Sequence, residues 1–160
     1  MFQPRISPTP DGTNLNGQTI IITGGNSGLG LEAARQFLTL GVFRLILACR
    51  SRARGDEAVA TLRADPNVKK ANSKAVIEVF ELDLSDYQSG LRFTEKVKKE
   101  VTELDVLLNN GGQVGPTFEK ASSGHEKNMQ GMKRRHDANH SRCCMLIAKS
   151  ELLYAFTHLS

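Results

Sequence analysis

A short β-branched run, QTIIIT at residues 18–23, leads directly into Gly24-Gly25-Asn26-Ser27-Gly28-Leu29-Gly30, and an apolar-periodic stretch follows without a break. Leu31, Ala34 and Leu38 recur at helical spacing up to Gly41. This strand, glycine turn and helix constrains the chain more than any other segment. Gly24 can turn the chain tightly, Gly28 can let backbone approach a phosphate, and Gly30 can let helix and strand pack closely. Free N–H groups at such a helix start attract anions. The segment therefore reads as a nucleotide-binding turn. It lacks the lysine and adjacent hydroxyl of an ATP-type phosphate loop.

The same rhythm continues downstream. VFRLILAC (42–49) is apolar on both faces, as expected of a strand in a parallel sheet covered by helices. A polar helix over 51–64 is expected to stop at Asp65-Pro66-Asn67. A third strand is expected at 75–81, a helix at 87–103 with Tyr87, Leu91, Phe93 and Val97 towards one face, and a fourth strand at 104–109. Alternation with short connections predicts right-handed βαβ crossovers. The fold class is thus α/β, a three-layer Rossmann-type parallel sheet, incomplete. Four parallel strands in Rossmann order are expected, the first lying between the second and the strand reached by the third crossover.

Composition sets the outer bounds. With 160 residues, 39% hydrophobic and 24% charged, the chain has the size of one globular domain. The net charge of +4 is mostly a tail property: residues 1–112 carry 14 basic and 13 acidic groups, residues 113–160 carry 7 and 4. So mild an excess gives no case for nucleic acid. Cys49, Cys143 and Cys144 make no disulfide framework and suit a reducing compartment. With no signal peptide and no apolar run of membrane-spanning length, the expected localisation is cytoplasmic.

TGGNSGLG (23–30), ACRSRA (48–53), ELDLSD (81–86) and LDVLLNNGG (104–112) stand in an order and spacing that resembles the short-chain dehydrogenase/reductase family, particularly its retinol-dehydrogenase-like and fungal members. The resemblance covers residues 18–112 continuously. It implies a dinucleotide site formed by Gly24, Asn26, Ser27, Gly28, Leu29 and Gly30, with Arg50, Asp83, Leu84, Asn110 and Gly111. The second strand ends without a carboxylate, and Arg50 suits a 2′-phosphate, so NADP(H) is expected over NAD(H). Arg50 and Arg52 could instead merely begin a solvated helix. Asp83 fits either an adenine contact or a helix cap, and both can hold at once. Cys49 reads as a small buried filler. Gly111 stands where the family usually has alanine.

The resemblance also implies hydride transfer at a carbonyl or alcohol, with a small-molecule substrate of that kind and a tyrosine, a lysine four residues later and an upstream serine as catalytic groups. Four residues beyond Tyr87 stands Leu91, and four beyond Tyr154 stands His158. No residue is therefore assigned a catalytic role. The family pattern fades around Gln130, where its active-site asparagine is expected near Met132. The expected organisation is an irregular arm at 1–17, a partial NAD(P)-binding Rossmann domain at 18–130, and a divergent, poorly packed tail at 131–160, as if truncated with an aberrant end. In that form an oligomer is not expected. Within the tail, 145–156 reads as a helix. His136, His140, Cys143 and Cys144 fit no standard zinc spacing, so no metal is assigned. Lys133, Arg134 and Arg135 are too few for a nucleic-acid patch, and His125 reads as a surface residue. The alternative to an oxidoreductase module is a non-catalytic binding or interaction protein derived from the same fold.

Overall fold

The computed structural model describes residue 10, residues 12–112 and the backbone of residues 145–148. Its elements run β1 (Thr19–Thr23), α1 (Gly28–Thr39), β2 (Arg44–Cys49), α2 (Arg52–Ala64), α3 (Pro66–Asn72), β3 (Val76–Glu81), α4 (Tyr87–Glu100), β4 (Val106–Asn109) and β5 (Met145–Ala148). The sheet order is β3-β2-β1-β4-β5. β1 to β4 pair in parallel, with Ile21 beside Ile46 and Leu107. The four-strand Rossmann arrangement matches the expectation.

Each strand presents alternate side chains to opposite faces. Ile20, Ile22, Leu45, Leu47, Ile77 and Leu108 meet Ala34 and Leu38 of α1, Ala58 and Leu62 of α2, and Val68 of α3. Ile21, Ile46, Ala48, Phe80 and Leu107 meet Phe93 and Val97 of α4. Helices thus cover both faces, and the doubly apolar strands follow from that. All five residues of β1 are buried. Its ends are polar: the Thr19 amide donates to Asp105 Oδ2 at 2.8 Å, and the Thr23 hydroxyl reaches the Leu108 carbonyl oxygen at 3.4 Å.

One expectation holds but is incomplete, and another needs correction. Asp65-Pro66-Asn67 ends α2, but it also begins another helix. Asp65 is the C-cap of α2 and the N-cap of α3, its carboxylate accepting from the amides of Asn67 and Val68 at 2.8 and 3.3 Å. Proline at the first helical position lacks only an N–H that would have had no partner there. The correction lies in the tail. Residues 145–148, expected in a helix, form β5 and pair antiparallel with β4, Leu107 opposite Ile147. The sheet is therefore five-stranded and mixed. So short an apolar run carries no decisive period, and the outer edge of β4 offers unpaired backbone groups.

Of the arm, residues 12–17 carry no helix or strand, yet Leu15 packs on the core and its amide donates to the Leu40 carbonyl at 2.9 Å. His125, Lys133, Arg134, Arg135, His136, His140, Cys143, Cys144, Tyr154 and His158 lie outside the described residues. Among the described residues, no three metal-ligating side chains gather and no helix is long and apolar enough to cross a membrane.

Candidate functional site

Every segment assigned to the dinucleotide site follows the carboxyl end of a parallel strand. Residues 24–27 connect β1 to α1, Arg50 follows β2, Asp83 and Leu84 follow β3, and Asn110 and Gly111 follow β4. Because these strands are neighbours, the segments share one edge of the sheet, where ligands of open α/β folds bind.

The three glycines divide their work. Gly24, at φ +66°, is packed so closely that a Cβ would stand 2.8 Å from Gly111 Cα. A Cβ on buried Gly30 would collide with the Gly24 carbonyl and come within 2.5 Å of Asn110 Nδ2. Gly28 differs. It adopts φ +54°, yet a Cβ there would meet nothing within 4 Å among the described residues. Gly24 and Gly30 therefore serve close packing, while Gly28 faces open space. Ser27 takes the N-cap position of α1 without a side-chain capping bond, and the first turn holds no acidic residue. Ser27 and Gly28 are exposed, Asn26 is half-buried, and Leu29 is 71% exposed. The helix start thus combines a positive dipole end with amides that no Ser27 oxygen occupies.

The loops are tied to each other. Asn110 Nδ2 donates to the carbonyls of Thr23 and Gly24 at 3.1 and 3.2 Å. The Gly111 amide donates to Thr23 Oγ1 at 2.9 Å, and the Gly24 amide to the Ala48 carbonyl at 2.7 Å. Thr23 carried no individual role in the sequence, although it stands immediately before the glycines. It joins β1 to the segment after β4.

Arg50 is exposed and takes no hydrogen bond or ion pair among the described residues. Arg52 is different: its Nε pairs with Asp56 at 3.1 Å, one turn along α2. Of the two arginines, only Arg52 is tied to a residue of its own helix. Cys49 is buried, and burial pushes its thiol pKa up, with Asp56 adding to the effect. That is the environment of an unreactive filler.

Asp83 does not cap α4. Its Oδ1 accepts from the Ser85 amide at 2.8 Å, while Asp86 caps the helix by accepting from the Gln88 amide at 2.9 Å. The Asp83 amide donates to the hydroxyl of buried Ser89 at 2.9 Å, a brace that nothing in the residue order signals. Tyr87 begins α4 and is 45% exposed.

A family model described as short chain dehydrogenase matches residues 18–140. Among curated proteins, the chain is 65% identical over 128 residues to short chain dehydrogenase sor7 of Hypocrea jecorina, covering 80% of this chain and 36% of that protein. It is 40% identical over 129 residues to short-chain dehydrogenase/reductase tropG of Talaromyces stipitatus, covering 81% and 39%. The chain thus spans less than two fifths of the length of these relatives. Among solved structures, L-sorbose reductase from Gluconobacter frateurii, complexed with NADPH and L-sorbose, superposes with a TM-score of 0.55 at 24% identity, over 74% of this chain and 41% of that one. The NADP complex of RhlG from Pseudomonas aeruginosa gives 0.53 at 24% identity, over 63% and 37%. These two likenesses speak for the fold.

Proposed function

The chain belongs to the short-chain dehydrogenase family, and from that premise we propose that it is the dinucleotide-binding part of an NADP(H)-dependent carbonyl or alcohol oxidoreductase. The observation that carries the reading is the gathering of the glycine turn, Arg50, Asp83 with Leu84, and Asn110 with Gly111 after four neighbouring parallel strands. The residues fit the group. The open side of Gly28 and the start of α1 would take the pyrophosphate. Arg50, with no carboxylate paired to it among the described residues, would take the 2′-phosphate by charge-assisted bonds. Asp83 and Leu84 would border the adenine, and Asn110 with Gly111 would support the turn from behind. Solved proteins of the same fold that hold NADPH or NADP support this choice of cofactor.

When bound, the cofactor supplies the hydride; this chain's described residues bind and orient it. A proton must also reach or leave the substrate oxygen, and a misplacement near 1 Å can cost about a hundredfold in rate. Tyr87 begins the helix before β4 and has Leu91 where a lysine is needed, so we assign it no role in the chemistry. Tyr154, the other tyrosine of the sequence, has His158 at that spacing, so we infer that the 160-residue chain binds the cofactor without turnover. Calorimetric titration of the purified 160-residue chain tests the first half of this reading. Weak binding of NADPH, and weaker binding of NADH, is expected. Absence of heat with either cofactor favours a non-catalytic interaction protein on the same fold.

A further inference from the structure

Among the described residues, the sheet has a bare flank at β3, which pairs there only with β2. The amides of Val76 and Leu82 donate to the carbonyls of Phe43 and Cys49. Backbone direction alternates along a strand, so the carbonyls of Ala75, Ile77, Val79 and Glu81 point away from β2. Such a row is a template for strand addition by another chain. Beside it runs a cleft of about 190 Å³, lined in part by Val59, Ile77, Val79 and Phe80. None of the dinucleotide-site residues lines it.

Two of those outward carbonyls are already occupied. Arg52 Nη1 donates to the Val79 carbonyl at 3.2 Å, and Arg63 Nη2 to the Ala75 carbonyl at 3.5 Å. Both arginines belong to α2, about three helical turns apart, so they project from one face of the helix. Arg52 is further held by Asp56, whose two carboxylate oxygens accept from its Nε at 3.1 and 3.3 Å. On the other side of the cleft, Lys96 Nζ lies 4.2 Å from the Phe80 ring centroid.

We propose that Arg52 and Arg63 close the outer edge of β3 against strand pairing with a second copy of this chain. Each guanidinium occupies a carbonyl that an incoming strand needs, and brings a charge into the path of that strand. Asp56 is a positioning residue in this device, because it aims Arg52 without touching the edge.

The test compares the 160-residue chain with R52A/R63A, D56N and R54A, the last removing an exposed α2 charge that reaches no edge carbonyl. Light scattering across a concentration series gives the onset of self-association, and hydrogen exchange locates the contact. R52A/R63A is expected to associate at a roughly tenfold lower concentration, since one or two hydrogen bonds of ordinary net worth are released for pairing. Protection should rise at residues 75–81. D56N is expected to fall between the parent and the double variant, and R54A to match the parent. Should the double variant fail to fold, D56N carries the comparison. An onset unchanged in the folded variants, or association without new protection at 75–81, overturns the proposal.

Discussion

The Asn110 carboxamide nitrogen lies 3.2 Å from the Gly24 carbonyl oxygen, joining residues 86 apart in the chain. The same nitrogen serves Thr23. One side chain therefore satisfies two carbonyls in the turn where the proposed pyrophosphate site begins. Replacing it with alanine is expected to destabilise the fold by about 1–3 kcal/mol, because half-buried carbonyls lose their donor. N110D is expected to be at least as damaging, since a carboxylate would face two carbonyl oxygens. Urea denaturation of both variants checks the order.

Gly28 and Gly30 should separate binding from stability. G30A is expected to cost about 1–3 kcal/mol in urea denaturation, because its methyl group collides with backbone that must move. G28A has room for its methyl group and pays mainly for a left-handed backbone, about 1 kcal/mol. Its larger effect should be on NADPH affinity, read by calorimetry. Equal loss of affinity in two equally stable variants would remove the distinction.

Arg50→Ala is expected to lower NADPH affinity about tenfold to a hundredfold while leaving NADH affinity nearly unchanged, the worth of one charge-assisted contact. Parallel titrations at low and moderate salt provide the check, with the difference shrinking as salt rises. Equal affinity of the parent chain for both cofactors would disqualify Arg50 as the selector.

Acid stability should depend on Asp65. Partial burial acts to raise its pKa, but the amides of Asn67 and Val68 and the Arg35 guanidinium outweigh it and hold the carboxyl below its usual range. The folded chain therefore binds this proton less readily than the unfolded chain. The contribution is full above the unfolded value, near 3.9, and is lost as pH falls through the lower folded value. Urea denaturation from pH 6 down to roughly pH 3 should show a shallower acid decline for D65N than for the parent chain. Parallel declines would contradict the assignment.

With NADPH and a panel of aldehydes, ketones and retinal-like substrates, the purified chain is expected to show no oxidation of the reduced cofactor above background. Absorbance of that cofactor is the readout. Turnover abolished by Tyr154→Phe would overturn the expectation and assign the proton to the C-terminal segment.

The two-faced strands were legible because Ile20, Ile21, Leu45 and Ile46 leave no polar side for solvent. The glycine turn was legible because three glycines between a strand and a helix have few other uses. Asp65-Pro66 was legible as the end of one helix but not as the start of the next, since the same residues do both. The short run at Met145–Ala148 became a strand through pairing with β4, which local order does not encode. Ties such as Asn110 to Gly24 and Arg63 to Ala75 depend on how distant segments meet, and residue types alone do not announce them.

β1 has a further consequence for folding. Its sequence is Thr-Ile-Ile-Ile-Thr, so sliding it by one position returns isoleucine to two of the three central places, even though the slide exchanges the two faces. The apolar middle therefore discriminates poorly between correct and slipped pairings. Discrimination falls to the polar ends: the Thr19 amide on Asp105, and the Thr23 hydroxyl accepting from the Gly111 amide. The second of these anchors also shapes the loops around the glycine turn. A chain that mispaired β1 would keep a well-filled interior and still lose its ligand edge, so a compact, melting-competent population with no cofactor affinity is the form that misfolding should take.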